Sequence, residues 1–374
     1  MRTWLALVLL AAGAACSDDP TGTDTTGTGS TSTVATSTTG SDSGATMAEA
    51  SSGGEQPGTD SSSDDGSSTG ASACTDPVEA VSGELVLTTP TGDLHGSYLG
   101  PAGCPPFPTV LFHVGSGPTD RDGNTVGASG SNDGHLQLAQ ALAEEGIASV
   151  RYDKRGVAQS TPALEDPSDL LVQTYVDDLA GWVEMLRGQS DTVAAIIVLG
   201  HSEGSLYATL VAASGEVDGL VHAAGPGRPF GDVLAEQLMN NVGDPDLLAQ
   251  ALQILEMLEA GQTVDDVPVS LLSLFDPSIQ PFLITLLAYD PTVEIANVAV
   301  PTTILAGDAD IQIPASDAEL LAAAKPDAEL RIIAGMTHTF KSDAAGQAAA
   351  YDDPTVPLAD GVVQAVVDAV AAAE

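Results

Sequence analysis

Apolar residues along this chain fall into short continuous runs that alternate with stretches of helical spacing. Runs at 84–88 and 94–99, joined through Pro90-Thr91-Gly92-Asp93, predict a hairpin. A buried strand is expected at 109–114, then a long Gly-rich loop from Gly115 to Asn124. Leu136, Leu138, Ala139 and Leu142 give a helix over 135–145. The next buried strand, 147–152, stops at Asp153-Lys154-Arg155-Gly156, and a helix follows over 173–187. Ile196-Ile197-Val198-Leu199 is a further apolar strand, leading to a helix of small residues at 208–213 and a strand at 217–224. This alternation predicts an α/β fold whose sheet is largely parallel.

From 230 to 290 the alternation breaks. Helical patterns, plainest at 234–239 and 247–258, occur there without a clear strand. An insertion at the carboxyl edge of a sheet is expected to form a cap over a site, here about 228–290, and to shape its pocket. A helical surface elaboration is the alternative. The sheet resumes with strands at 302–306 and 329–333 around a helix at 316–324, and the last helix covers 360–372.

The first 73 residues change the picture of where the protein works. Arg2, the apolar run 4–12 and small residues up to Cys16 read as a secretory signal with a lipobox (1–16). Cys16 is then expected to be acylated and to anchor the chain at a bacterial cell envelope, with a periplasmic or secreted protein as the alternative. Residues 17–73 are Ser, Thr, Gly, Asp and Pro and cannot bury enough apolar surface to order themselves, so they predict a tether. Residues 74–374 form the expected folded domain. Cys74 and Cys104 flank the hairpin, and a disulfide between them suits an oxidising compartment.

The formal charge is −42, with 52 acids against 10 basic residues. Such a field argues against nucleic acid as a partner. Arg121, Arg151, Lys154 and Arg155 nevertheless fall in two short segments. In a chain so sparing of positive charge, that clustering implies a specific task.

The chemistry centres on Gly200-His201-Ser202-Glu203-Gly204, a G-x-S-x-G between strand and helix. This is the arrangement of a nucleophile elbow, where a strained turn lifts the serine hydroxyl above the sheet. A serine hydroxyl needs a positioned base, itself oriented by an acid. His338 and Asp310 follow later strands in the required chain order. Asp308 is the other candidate acid, expected instead to fix its loop. The oxyanion donors are expected to be the backbone N–H groups of Glu203 and Ser116. Arg121 and Arg155 are expected to pair with acids such as Asp153 across adjoining loops and to hold the oxyanion loop in shape.

The set Gly115-Ser116-Gly117-Pro118, Asp120-Arg121-Asp122-Gly123-Asn124, Arg151-Tyr152-Asp153-Lys154-Arg155-Gly156-Val157 and Gly200–Gly204 resembles bacterial α/β-hydrolase fold esterases with a GHSEG elbow. Serine aminopeptidase-like and dienelactone hydrolase-like proteins are their relatives. Gly225-Pro226-Gly227-Arg228-Pro229, Glu236-Gln237, Gly307-Asp308, Asp310, Gln312 and Gly335-Met336, His338, Phe340-Lys341 extend the likeness. Ser205 and Ala158 stand where that group usually has glycine. The resemblance implies Ser202 as nucleophile, His338 as base and Asp310 as acid, cleaving a small-molecule carboxylic ester through an acyl-enzyme, without metal or cofactor. A peptidase or amidase with the same triad is the alternative; a non-catalytic binding protein on this scaffold is the third reading.

Overall fold

The computed structural model of the protein describes residues 77–374. The signal and lipobox, the tether, Cys16 and Cys74 lie outside the described residues. Cys104 is disulfide-bonded.

Strands β1 (Val81–Thr89) and β2 (Gly92–Gly100) form the expected hairpin, paired from Val81↔Gly100 to Thr89↔Gly92. Then come β3 (Phe107–His113), α1 (Gly134–Glu144), β4 (Ala148–Tyr152) and α2 (Val172–Arg187). The centre of the chain holds β5 (Val193–His201), α3 (Gly204–Ala213) and β6 (Gly219–Ala223). Helices α4 (Phe230–Asn241), α5 (Pro245–Glu259), α6 (Leu272–Phe275), α7 (Gln280–Leu287) and α8 (Pro291–Ile295) fill the strand-free segment. β7 (Thr302–Gly307), α9 (Ala315–Ala324), β8 (Glu329–Ile333), α10 (Gln347–Asp352) and α11 (Val362–Ala373) complete the order.

The sheet order is β1-β2-β4-β3-β5-β6-β7-β8. β2 is antiparallel to β1 and to β4; from β4 through β8 neighbouring strands are parallel. Parallel strands are buried on both faces, which is why they read as unbroken apolar runs. Side chains alternate between the two faces. Leu111, Val150, Ile196 and Val198 pack with Leu179 and Trp182 of α2 and Leu206 and Val211 of α3. Val110, Phe112, Ile197 and Leu199 pack with Leu138 and Leu142 of α1 and Val362 and Val366 of α11.

From β3 the chain winds outward to β4, whereas from β5 it winds the other way through β6, β7 and β8. The crevice between β3 and β5 is therefore the point where the winding reverses. Open α/β sheets bind ligands at that point, beyond the carboxyl ends of the strands. His113, His201, Gly307 and Ile333 all end strands at this edge.

Candidate active site

Ser202 follows β5 directly and has φ 56°, a left-handed conformation that costs about 1–3 kcal/mol for a residue with a side chain. The surroundings enforce it. Ser202 N–H donates to the Ala223 carbonyl (2.9 Å), and the Ser202 carbonyl accepts from Ser205 N–H (3.0 Å) as α3 begins. A Cβ on Gly200 would lie 2.6 Å from Ala208 Cβ and from Ser205 Cα, and one on Gly204 would lie 2.7 Å from the His113 carbonyl oxygen. Both clashes involve backbone or short side chains that cannot swing away. Both glycines are thus required by packing of the elbow between β3 and α3.

Ser205, where glycine is usual, is buried, and its hydroxyl donates to the Ser202 carbonyl at 2.6 Å. The space it fills is left by Gly225, on which a Cβ would strike the Ser205 side chain. Ala158 sits at φ 45°, a conformation that glycine adopts without strain.

Asp310 and His338 meet although 28 residues separate them. His338 Nδ1 and Asp310 Oδ2 are 2.7 Å apart, and the Asp310 side chain is fully shielded from solvent. Asp310 Oδ1 accepts from the backbone N–H groups of Gln312 (2.8 Å) and Ile313 (3.0 Å), so the turn after β7 fixes the carboxylate. Asp308 is exposed and accepts from Gly335 N–H (2.7 Å), tying the β7 turn to the loop that carries His338.

Four other histidines are buried without this pairing. Burial lowers the pKa of His113 to about 3 and of His135 and His222 to about 4, and it also holds His201 well below the usual imidazole value. These rings stay neutral. His201 Nε2 lies 2.8 Å from the His338 carbonyl oxygen, and its ring packs 4.8 Å from the His338 ring and 5.0 Å from that of His135. It buttresses the loop that presents His338. His95, on β2, accepts at its carbonyl from Asp153 N–H (2.9 Å) and does not line the cavity of Ser202.

Ser202 and His338 line one cavity of about 80 Å³, with Gly115, Ser116, Thr119 and Asn132 on one side and Gln312, Thr339, Tyr351 and Asp352 on another. None of its walls comes from 228–290, so the cap does not shape this cavity. The reason is where the cap buries its apolar face. Leu234, Leu238, Ile254, Leu255, Phe275, Phe282 and Leu286 join the core on the α2–α3 side, with Tyr175 and Phe282 rings 5.9 Å apart. The segment after His338 supplies the wall instead, with Tyr351 OH accepting from Gln312 Nε2 at 2.5 Å. That segment is Ala-rich and carries no motif, so nothing in its sequence marks it.

The Gly-rich loop passes close over Ser202: a Cβ on Gly115 would lie 2.9 Å from Ser202 Cβ. Ser116 lines the cavity beside it. Glu203 begins the turn into α3 with φ −52°, and its side chain accepts from Tyr207 OH at 2.7 Å, away from its own backbone N–H.

The basic cluster divides its tasks differently from expectation. Arg121 does bridge the loops: its backbone N–H donates to Asp153 Oδ1 (2.9 Å), and its guanidinium contacts Asp153 Oδ2 (2.8 Å) and Glu84 (2.9 Å). Arg151 pairs with Asp122 in the same loop. Arg155 does not hold the oxyanion loop. Its Nε and Nη2 grip Asp178 of α2 at 2.9 and 2.5 Å, and Nη1 donates to the Ala163 carbonyl (2.7 Å). Arg155 faces the hairpin and α2, also meeting Thr91, just before the chain turns at Gly156 with φ 82°. The neighbouring Lys154 makes the contact assigned to Arg155: buried, it donates from Nζ to the Gly115 carbonyl at 2.5 Å.

Among the described residues, no group of three or more His, Cys, Asp or Glu converges as a metal site requires.

A family model described as serine aminopeptidase S33 matches residues 127–273, a stretch that includes the elbow but neither Asp310 nor His338. Esterase EstD of Thermotoga maritima is 30% identical over 230 residues, 61% of this chain and 52% of the esterase. The chain thus spans about half the length of that curated relative. Among solved structures, the α/β hydrolase GrgF from Penicillium is similar with a TM-score of 0.50 and 16% identity, covering 78% of this chain and 98% of its own. Est1E from Butyrivibrio proteoclasticus, solved with ferulic acid, matches at a TM-score of 0.48 and 16% identity over 76% and 96%.

Proposed function

We propose that this chain, which has the α/β-hydrolase fold, is a serine esterase that cleaves carboxylic esters through an acyl-enzyme. The observation that carries the proposal is the buried His338–Asp310 pair opening into the same cavity as Ser202 on its left-handed elbow. In this reading Ser202 Oγ attacks the ester carbonyl while His338 Nε2 takes its proton. Asp310 holds the proton on Nδ1 and stabilises the imidazolium. The backbone N–H groups of Glu203 and Ser116 receive the developing oxyanion. His338 then protonates the departing alcohol, and water, deprotonated by the same imidazole, releases the acid.

The likeness to EstD supports ester cleavage. A peptidase reading is favoured by one observation, the match to the serine aminopeptidase model. A panel of p-nitrophenyl esters and aminoacyl anilides, run on wild type and Ser202→Ala, separates the two. Esters should turn over much faster than anilides, and Ser202→Ala should lose both turnover and labelling by a fluorophosphonate. Faster anilide cleavage would replace the esterase reading, and a labelled Ser202→Ala would remove the nucleophile.

An exported enzyme, lipid-anchored through Cys16 and held off the membrane by the 17–73 segment, is part of the same proposal. The disulfide-bonded state of Cys104 supports an oxidising compartment. Incorporation of labelled palmitate into wild type but not Cys16→Ser tests the anchor.

A further inference from the structure

We propose that Lys154 is a positioning residue for the oxyanion hole, acting through the peptide bond between Gly115 and Ser116. The inference rests on the esterase reading and deepens it. Lys154 Nζ donates to the Gly115 carbonyl at 2.5 Å. That carbonyl and the Ser116 N–H belong to one peptide unit, and in a trans peptide they point in opposite directions. The only cis bond among the described residues joins Pro105 and Pro106. Pulling the carbonyl toward Lys154 therefore turns the Ser116 N–H away from it, toward the side where Gly115 abuts Ser202. Thr119 Oγ1 donates to the Ser116 carbonyl at 2.8 Å and holds the next peptide unit. The loop is clamped on both sides of the one N–H that has to stay aimed at the reaction.

Lys154 is itself fixed. It is 2% exposed, its Nζ lies 5.4 Å from the centre of the Tyr175 ring, and the Glu203 carboxylate, held by Tyr207, is the opposing charge. Glu203 also supplies the other expected oxyanion donor from its backbone. One buried cation thus binds the peptide unit of one expected donor and attracts the side chain of the residue that supplies the other. The chain of ammonium, carbonyl, N–H and oxyanion is also cooperative, since a cation on the carbonyl polarises the peptide and strengthens its N–H as a donor. The geometry matters most in the transition state, when charge develops on the substrate oxygen.

The test measures kcat and KM on a p-nitrophenyl ester for wild type, Lys154→Met and Lys154→Arg. Alongside, it measures the affinity of a trifluoromethyl ketone, whose adduct with Ser202 bears an oxyanion, and of the matching methyl ketone, which binds without one. Losing one oxyanion donor costs about 10²–10³-fold in kcat. Lys154→Met should lose about 10²-fold in both kcat and fluoroketone affinity, with KM and methyl ketone affinity within about threefold, and Lys154→Arg should recover part of the loss. Should Lys154→Met not fold, Lys154→Gln carries the same comparison. Turnover within threefold of wild type, or equal loss of both ketones, would overturn the inference. Ser202→Ala in parallel keeps the two readings apart: an active Ser202→Ala sinks the esterase reading, whereas an inactive one beside an unimpaired Lys154→Met sinks only this inference.

Discussion

Replacing Asp310 by Asn tests the acid assignment, and the structure dictates which way the new amide must face. Asp310 Oδ1 is taken by two backbone N–H groups, from Gln312 and Ile313, and both require an acceptor. In Asp310→Asn the amide oxygen occupies that position, because the NH2 group there would face two donors. The NH2 is then driven against His338 Nδ1, 2.7 Å away in the wild type. An imidazole facing a donor at Nδ1 accepts there and carries its proton on Nε2, the atom that must take the serine proton. The turn keeps its hydrogen bonds, so the fold persists while the base sits in the wrong tautomer. The comparable change in a serine triad lowers kcat by about 10⁴. At 1.36 kcal/mol per tenfold, a loss of 10³–10⁴ corresponds to about 4–5.5 kcal/mol of transition-state stabilisation. The assay is kcat and KM for p-nitrophenyl butyrate, with circular dichroism melting to verify folding and Asp308→Asn as the comparison. Asp308→Asn retains an oxygen for Gly335 N–H on an exposed side chain, so it should stay within about threefold of wild type. Asp310→Asn within tenfold of wild type, or Asp308→Asn the more damaged of the two, would refute the reasoning.

Gly204→Ala puts a methyl group against the His113 and Val114 carbonyl oxygens, backbone atoms at the end of β3 and just beyond it. It should cost about 1–3 kcal/mol by urea unfolding and at least tenfold in kcat; a variant with wild-type turnover would contradict the packing account of the elbow. Arg155→Met leaves the Asp178 carboxylate buried without its bidentate partner and should cost about 3–5 kcal/mol in unfolding free energy. Its kcat, measured well below the melting temperature, should stay within threefold, and a large kcat loss with unchanged stability would return Arg155 to the oxyanion loop. Burial lowers the Lys154 pKa to about 8 against a usual 10.5, despite the attraction of Glu203. Between those values the unfolded chain holds a proton that the folded protein has released, so the penalty is full below pH 8 and fades as pH rises. Relative to Lys154→Met, wild-type stability should therefore gain about 3 kcal/mol from pH 8 to pH 10.5 in urea titrations; a flat difference would refute the buried-cation account.

Much of this protein was legible in the order of its residues because the signals are local. Hairpin, strands and helices follow from apolar periodicity, and the nucleophile elbow follows from two glycines around Ser202. Even the choice of Asp310 over Asp308 rests on a short-range fact, the number of residues a tight turn needs before a carboxylate can leave the sheet edge. What tertiary structure decided is where side chains of adjacent residues go once they pass the end of a strand. Lys154 and Arg155 are neighbours of similar charge, yet one grips the Gly115 carbonyl and the other grips Asp178 on α2. Composition shows that the cluster is unusual, but only the partners brought close by the fold, the Gly115 carbonyl and Asp178, separate its members. The cap is a second case. Its helices are readable from their spacing, whereas the surface they bury depends on the apolar area left open by α2 and α3. The cavity beside Ser202 consequently takes its far wall from Tyr351 and Asp352, residues that no sequence pattern distinguishes. Periodicity and turn chemistry act over a few residues and are written in the chain. Packing partners are chosen by area and shape across the whole fold, and only the folded structure reveals them.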